Sequence, residues 1–134
     1  MTKSTVPYAL IVDDDPIILM DLDGILTDAG FRCYEAEDGD AAIALLSEFA
    51  NSITLLFSDV EMPGTDGFAL ARHVASTYPW IEIVIASGRI QPEAGDMPDG
   101  ATFLPKPFSA GIVHNHLRVT LPDGKKPAPL KTAV

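Results

Sequence analysis

The amino-acid sequence predicts an α/β domain built on a five-stranded, doubly wound parallel sheet, with a short or irregular fourth helix. Three observations predict it. Strand-like and helix-like segments alternate from Tyr8 to Leu121 with short polar joints, as in a parallel sheet covered by helices. The runs YALIV and ITLLFS are almost continuously apolar, as strands buried on both faces must be. Finally, three apolar runs each stop at a chemically active residue: YALIV at Asp13-Asp14-Asp15, ITLLFS at Asp59, and ATFLP at Lys106-Pro107. As parallel neighbours, those strands would bring their carboxyl ends into one crevice.

Each element follows from local pattern. Tyr8 to Val12 reads as a buried strand. From Pro16 to Ala29 the residues Ile18, Leu22, Ile25 and Ala29 recur at helical spacing, Pro16 suits a first helical turn, and Gly30 is placed to end the helix. Phe31 to Ala36 is a short strand. Gly39 to Phe49 is a helix that turns Ala42, Leu45, Leu46 and Phe49 toward the sheet. Ile53 to Ser58 is the third strand, and a third helix runs from about Phe68 to Ser76. Ile81 to Ala86 and Thr102 to Leu104 are the last strands. Ser109 is placed to cap a final helix reaching Leu121.

The slot between the last two strands is weak. Gly88, Pro92, Gly95, Pro98 and Gly100 leave room for at most a turn or two of helix. The expected organisation is an N-terminal arm over 1–7, one domain over 8–121, and a flexible tail over 122–134, which is rich in proline and lysine.

Composition narrows the function. Nine Lys and Arg face 19 Asp and Glu, a net charge of -10, which argues against direct binding of nucleic acid. The lone Cys33 cannot form an internal disulfide, no stretch resembles a secretory signal, and no apolar run approaches a membrane span, so a cytoplasmic protein is expected. The remaining polar landmarks have ordinary readings. Asp15 reads as a helix cap, and Lys125-Lys126 as a solvated basic pair. Trp80 reads as a packing residue, and His114 and His116 sit on different sides of one helix.

A cluster of Asp13, Asp14 and Asp59 beside Lys106 suits a hard divalent cation such as Mg2+ together with a phosphoryl group. Without a cation, carboxylates this close would repel one another.

Four ordered motifs now resemble the receiver domain of two-component response regulators over about residues 8–121: IVDDDP, SDVEMPGTDG, IASG and FLPKPF. The resemblance implies a flavodoxin-like (βα)5 fold. It also implies that Asp59 accepts a phosphoryl group from a histidine kinase or phosphotransfer protein, as an aspartyl phosphate. Asp14 and Asp59 would ligate Mg2+, with Asp13 holding a metal-bound water and Glu61 offering its backbone carbonyl. Lys106 would pair with Asp59 and then with the phosphoryl group. Ser87 would sense that group by hydrogen bonding, and Phe103 would be the aromatic that responds.

With no output domain after residue 121, the single-domain type would act on a downstream target protein or serve as a phosphate sink, as a monomer or weak dimer. Two alternatives stand beside this reading. One is a Mg-dependent phosphatase of the haloacid-dehalogenase type, whose nucleophile pattern is spoiled by Pro16 and Ile17. The other is an interaction module that works without phosphorylation.

Overall fold

A computed structural model describes residues 6–131; the rest of the expected arm and tail, residues 1–5 and 132–134, lies outside the described residues. Five parallel strands form one sheet in the order β2-β1-β3-β4-β5: β1 (Tyr8–Val12), β2 (Arg32–Ala36), β3 (Ile53–Asp59), β4 (Glu82–Ser87) and β5 (Thr102–Pro105). This is the expected doubly wound sheet. Strand order reverses between β1 and β3, and there the two strands that end in Asp lie side by side.

The helices are α1 (Pro16–Asp28), α2 (Gly39–Phe49), α3 (Gly67–Thr77), α4 (Ala110–Thr120) and a short α5 (Ala128–Lys131). Each of the first four begins where a short polar side chain satisfies an otherwise orphaned backbone N–H. Asp15 accepts from Ile17, Asp38 from Ala41, Asp66 from Ala69, and Ser109 from Ile112. Gly30 follows α1 with φ of 106°, a left-handed conformation that favours glycine.

The sheet separates two apolar layers. One joins Ala9, Ile11 and Phe57 to α1 and α4, and the other joins Leu10, Leu56 and Ile85 to α2 and α3. In α1 the buried residues are Leu19, Leu22, Ile25 and Leu26. Ile18, one of the four apolar residues at helical spacing, is only partly buried, while Leu19 turns inward.

The slot between β4 and β5 carries turns and bends rather than a helix, in line with its Gly and Pro content. The segment is nonetheless tethered. Arg72 donates to the Asp96 carbonyl at 2.7 Å, the Asp96 carboxylate accepts from Glu93 N–H at 2.7 Å, and Ile90 and Met97 pack against the second apolar layer.

The flexible tail expected from residue 122 is corrected for residues 122–131. Leu130 is 2% exposed and joins the first apolar layer. Pro127 is buried, and a Cβ built on Gly30 would collide with it. Lys125, expected to be solvated, donates to the Trp80 carbonyl and pairs with Glu82 at 2.7 Å. Composition suggested little to bury, but two prolines landing on the notch at Gly30 and one leucine entering the core suffice to dock this segment.

Leu130→Ala should therefore destabilise the domain by about 2–4 kcal/mol, the range for emptying a buried leucine site. A urea melt checks this; a midpoint unchanged from wild type would mean that the tail is not part of the core.

Candidate functional site

The three strand ends converge as their spacing implied. Asp13 follows β1, fixed by its N–H donating to the Ala36 carbonyl at 3.1 Å, and is 2% exposed. Asp59 is the last residue of β3, one position further into the ladder than the sequence suggested, paired with Ala86 and 9% exposed. Lys106 follows β5, its N–H donating to the Ser87 carbonyl at 2.9 Å and its peptide to Pro107 being cis. Its ammonium reaches back across the sheet end and contacts both acids, 2.9 Å from Asp13 Oδ2 and 3.2 Å from Asp59 Oδ1.

Asp13 is doubly engaged, since its Oδ1 also accepts from the Asp15 N–H at 2.9 Å. Asp14 faces solvent, yet one carboxylate oxygen each from Asp13, Asp14 and Asp59 all lie within 4.8 Å of one another. Burial pushes the Asp59 carboxyl above its usual value; Lys106 pulls it back down, and Asp13 pushes it up again. Burial by itself would lower Lys106, but Asp13 and Asp59 outweigh it and hold the ammonium above the ordinary lysine value. An all-oxygen, part-solvated donor set beside one fixed ammonium fits a hard divalent ion better than zinc or copper.

Of the other residues named from sequence, Ser87 ends β4 beside Lys106 and is 3% exposed. Its Oγ accepts from the N–H groups of Arg89, at 3.2 Å, and Ile90, at 3.0 Å. Its hydroxyl hydrogen is thus left to point elsewhere. Glu61 lies on the loop after β3, its side chain 3.4 Å from the Arg89 guanidinium. Phe103 is on β5, half-buried against the second apolar layer and away from the carboxylates.

Two contributors escaped the sequence reading. Gly67 opens α3, and a Cβ there would fall inside the backbone carbonyl of Asp59, so only glycine lets α3 start this close to the end of β3. The Gly67 N–H donates to the Val60 carbonyl at 2.8 Å, fixing that approach. The DG pair at 66–67 was visible as a turn, but its contact with Asp59 is tertiary and leaves no local signal. Arg89 likewise meets Glu61 only through folding.

The profile of the response regulator receiver domain matches residues 9–118. The chain belongs to the response regulator receiver family. Among curated proteins, the sensor kinase CckA of Brucella abortus is 34% identical over 103 residues, 75% of this chain and 11% of that protein. The transcriptional regulator NtrC of Klebsiella pneumoniae is 35% identical over 103 residues, again 75% of this chain but 22% of the relative. The chain thus spans under a quarter of the length of these multidomain relatives. Among solved structures, the chemotaxis response regulator CheY4 of Vibrio cholerae superposes with a TM-score of 0.76 at 30% identity, covering 87% of this chain and all of that one. The receiver domain of the hybrid histidine kinase CckA gives 0.74 at 30% identity, covering 86% and 99%.

Receivers of two-component systems typically carry aspartyl phosphate and use Mg2+; they are phosphoacceptors rather than classical enzymes.

The raised Asp59 carboxyl has a sign that can be tested in the metal-free receiver. A carboxyl whose folded value is raised adds stability that is present at low pH and lost as pH rises through that folded value. Asp59→Asn should therefore raise Tm at neutral pH by about 2–5 °C, with the gain shrinking on acidification and on adding Mg2+. A lower Tm for the variant at neutral pH would mean that the Lys106 contact outweighs the burial of the charge.

Proposed function

We propose that Asp59 is the phosphoacceptor, taking a phosphoryl group from a histidine kinase or phosphotransfer protein and passing the signal to a partner protein. The observation that carries this reading is the Lys106 ammonium held between Asp13 and Asp59 at the carboxyl ends of the strands. A carboxylate oxygen of Asp59 attacks phosphorus, the new O–P bond forms as the N–P bond of the donor breaks, and the electron pair leaves with the imidazole. Lys106 then pairs with the phosphoryl oxygens, as a compact charge on a flexible stem can.

The Asp14 and Asp59 side chains and the Glu61 carbonyl would hold Mg2+, and Asp13 would hold a water bound to it. When bound, the ion offsets negative charge on nucleophile and donor. Gly67 keeps α3 close without crowding Asp59.

Ser87 supplies the readout. Its oxygen accepts from Arg89 and Ile90 while its own hydrogen remains free for a phosphoryl oxygen, so a shift of this hydroxyl pulls the first turn of the 88–101 segment with it. Phe103, on the next strand and packed against the same layer as Ile90, follows by repacking alone.

Acetyl phosphate with Mg2+ should add one phosphoryl mass to the wild type and none to Asp59→Asn, read by intact mass spectrometry. No adduct on wild type, together with no binding of beryllofluoride, would sink the assignment.

Hydrogen exchange addresses the readout separately. Beryllofluoride should raise protection across Arg89 to Asp99 in wild type, and Ser87→Ala should abolish that rise while leaving the phosphoryl adduct in place. Equal protection with and without the mimic would remove this segment from the switch.

A further inference from the structure

At the pole opposite the carboxylates, the amino ends of the strands border a groove of about 850 Å3. Its walls come largely from flanks outside the receiver profile, which spans 9–118: Val6 to Tyr8 on one side and Gly124 to Pro129 on the other. The groove is built in advance, because the tail wall is nailed down by Leu130 in the core, by Pro127 against Gly30, and by Lys125 on Glu82.

Every charged residue lining the groove is a cation, namely Arg32, Lys125 and Lys126, in a chain of net charge -10. Lys125 is committed to Glu82, as described. Lys126, its side chain 16% exposed, pairs at 3.0 Å with Asp123, whose side chain is 96% exposed, so the acid can swing away into water while the ammonium stays in place. Arg32, exposed on the edge strand β2, has no ion pair among the described residues. Between these charges lie the half-buried apolar surfaces of Pro7 and Tyr8.

We propose that this groove docks an acidic peptide segment of a partner protein, its carboxylates meeting Arg32 and Lys126 and its apolar side chains lying on Pro7 and Tyr8. Charge complementarity selects the partner: the strongly acidic remainder of the surface repels a long polyanion such as nucleic acid, while a short acidic segment meets only the local cationic lining. A wall already in place spares the complex the ordering cost that a free tail would impose. The site does not depend on phosphoryl acceptance at Asp59.

The test is fluorescence anisotropy with a short labelled peptide of alternating Glu and Leu, a matched Lys and Leu peptide, and a short oligothymidylate. The acidic peptide alone should bind saturably and lose affinity with added salt. Arg32→Glu should weaken it by about tenfold, as loss of a complementary charge does, with Lys126→Gln weakening it less and Asp59→Asn leaving it unchanged. Arg32 is exposed, so its substitution leaves the fold intact, and an unchanged thermal melt confirms this. No saturable binding of the acidic peptide, equal binding by Arg32→Glu, or equal binding of either control would overturn the proposal.

Discussion

The contact on which the site depends is the single ammonium of Lys106 between two buried carboxylates. Asp13 and Asp59 end adjacent strands, so the sheet that positions them also forces like charges together at low exposure. A buried charge without a partner is strongly destabilising, and Lys106 answers both at once. Its own place is set by the backbone bond to Ser87, which ties the end of β5 to the end of β4. Four strand ends are thereby locked around one positive charge.

That lock is incomplete by design of its charges. Three carboxylates gather around one ammonium, which leaves two negative charges in excess (3 - 1 = 2). A divalent cation would balance the cluster, while the Asp59 carboxyl is raised first by its burial, with Asp13 adding to that rise and Lys106 opposing it. The same arithmetic explains why Asp14 is exposed while Asp13 and Asp59 are not. The buried pair needs Lys106, whereas the third acid keeps water and so retains the freedom to become a ligand.

Much of this was legible in sequence because its signals are local. Continuous apolar runs gave β1 and β3, side-chain caps marked Asp15 and Ser109, and the residue ending each strand marked the crevice. What escaped is tertiary. The closeness of Gly67 to Asp59 depends on where α3 lands, and the engagement of Ser87 Oγ by two backbone N–H groups depends on the turn that follows. The tail was misjudged because its composition is that of a disordered segment. Burial there rests on a few side chains meeting a notch that only the folded α1–β2 corner creates.

The two poles are joined by β4. Lys125 grips its first residue, Glu82, while Ser87 at its last residue is hydrogen-bonded to Lys106 at the carboxylate cluster. The strand between them is buried at every residue from Ile83 onward and paired on both sides, so it cannot yield locally. On the proposed readout, motion that starts at Ser87 would pass into residues 88–101, which lack regular structure and are held mainly by Arg72 and by the packing of Ile90 and Met97. Rigidity at the amino pole and along β4 would then direct a change proposed at the carboxylates outward, into the loop that has turns and bends in place of a helix.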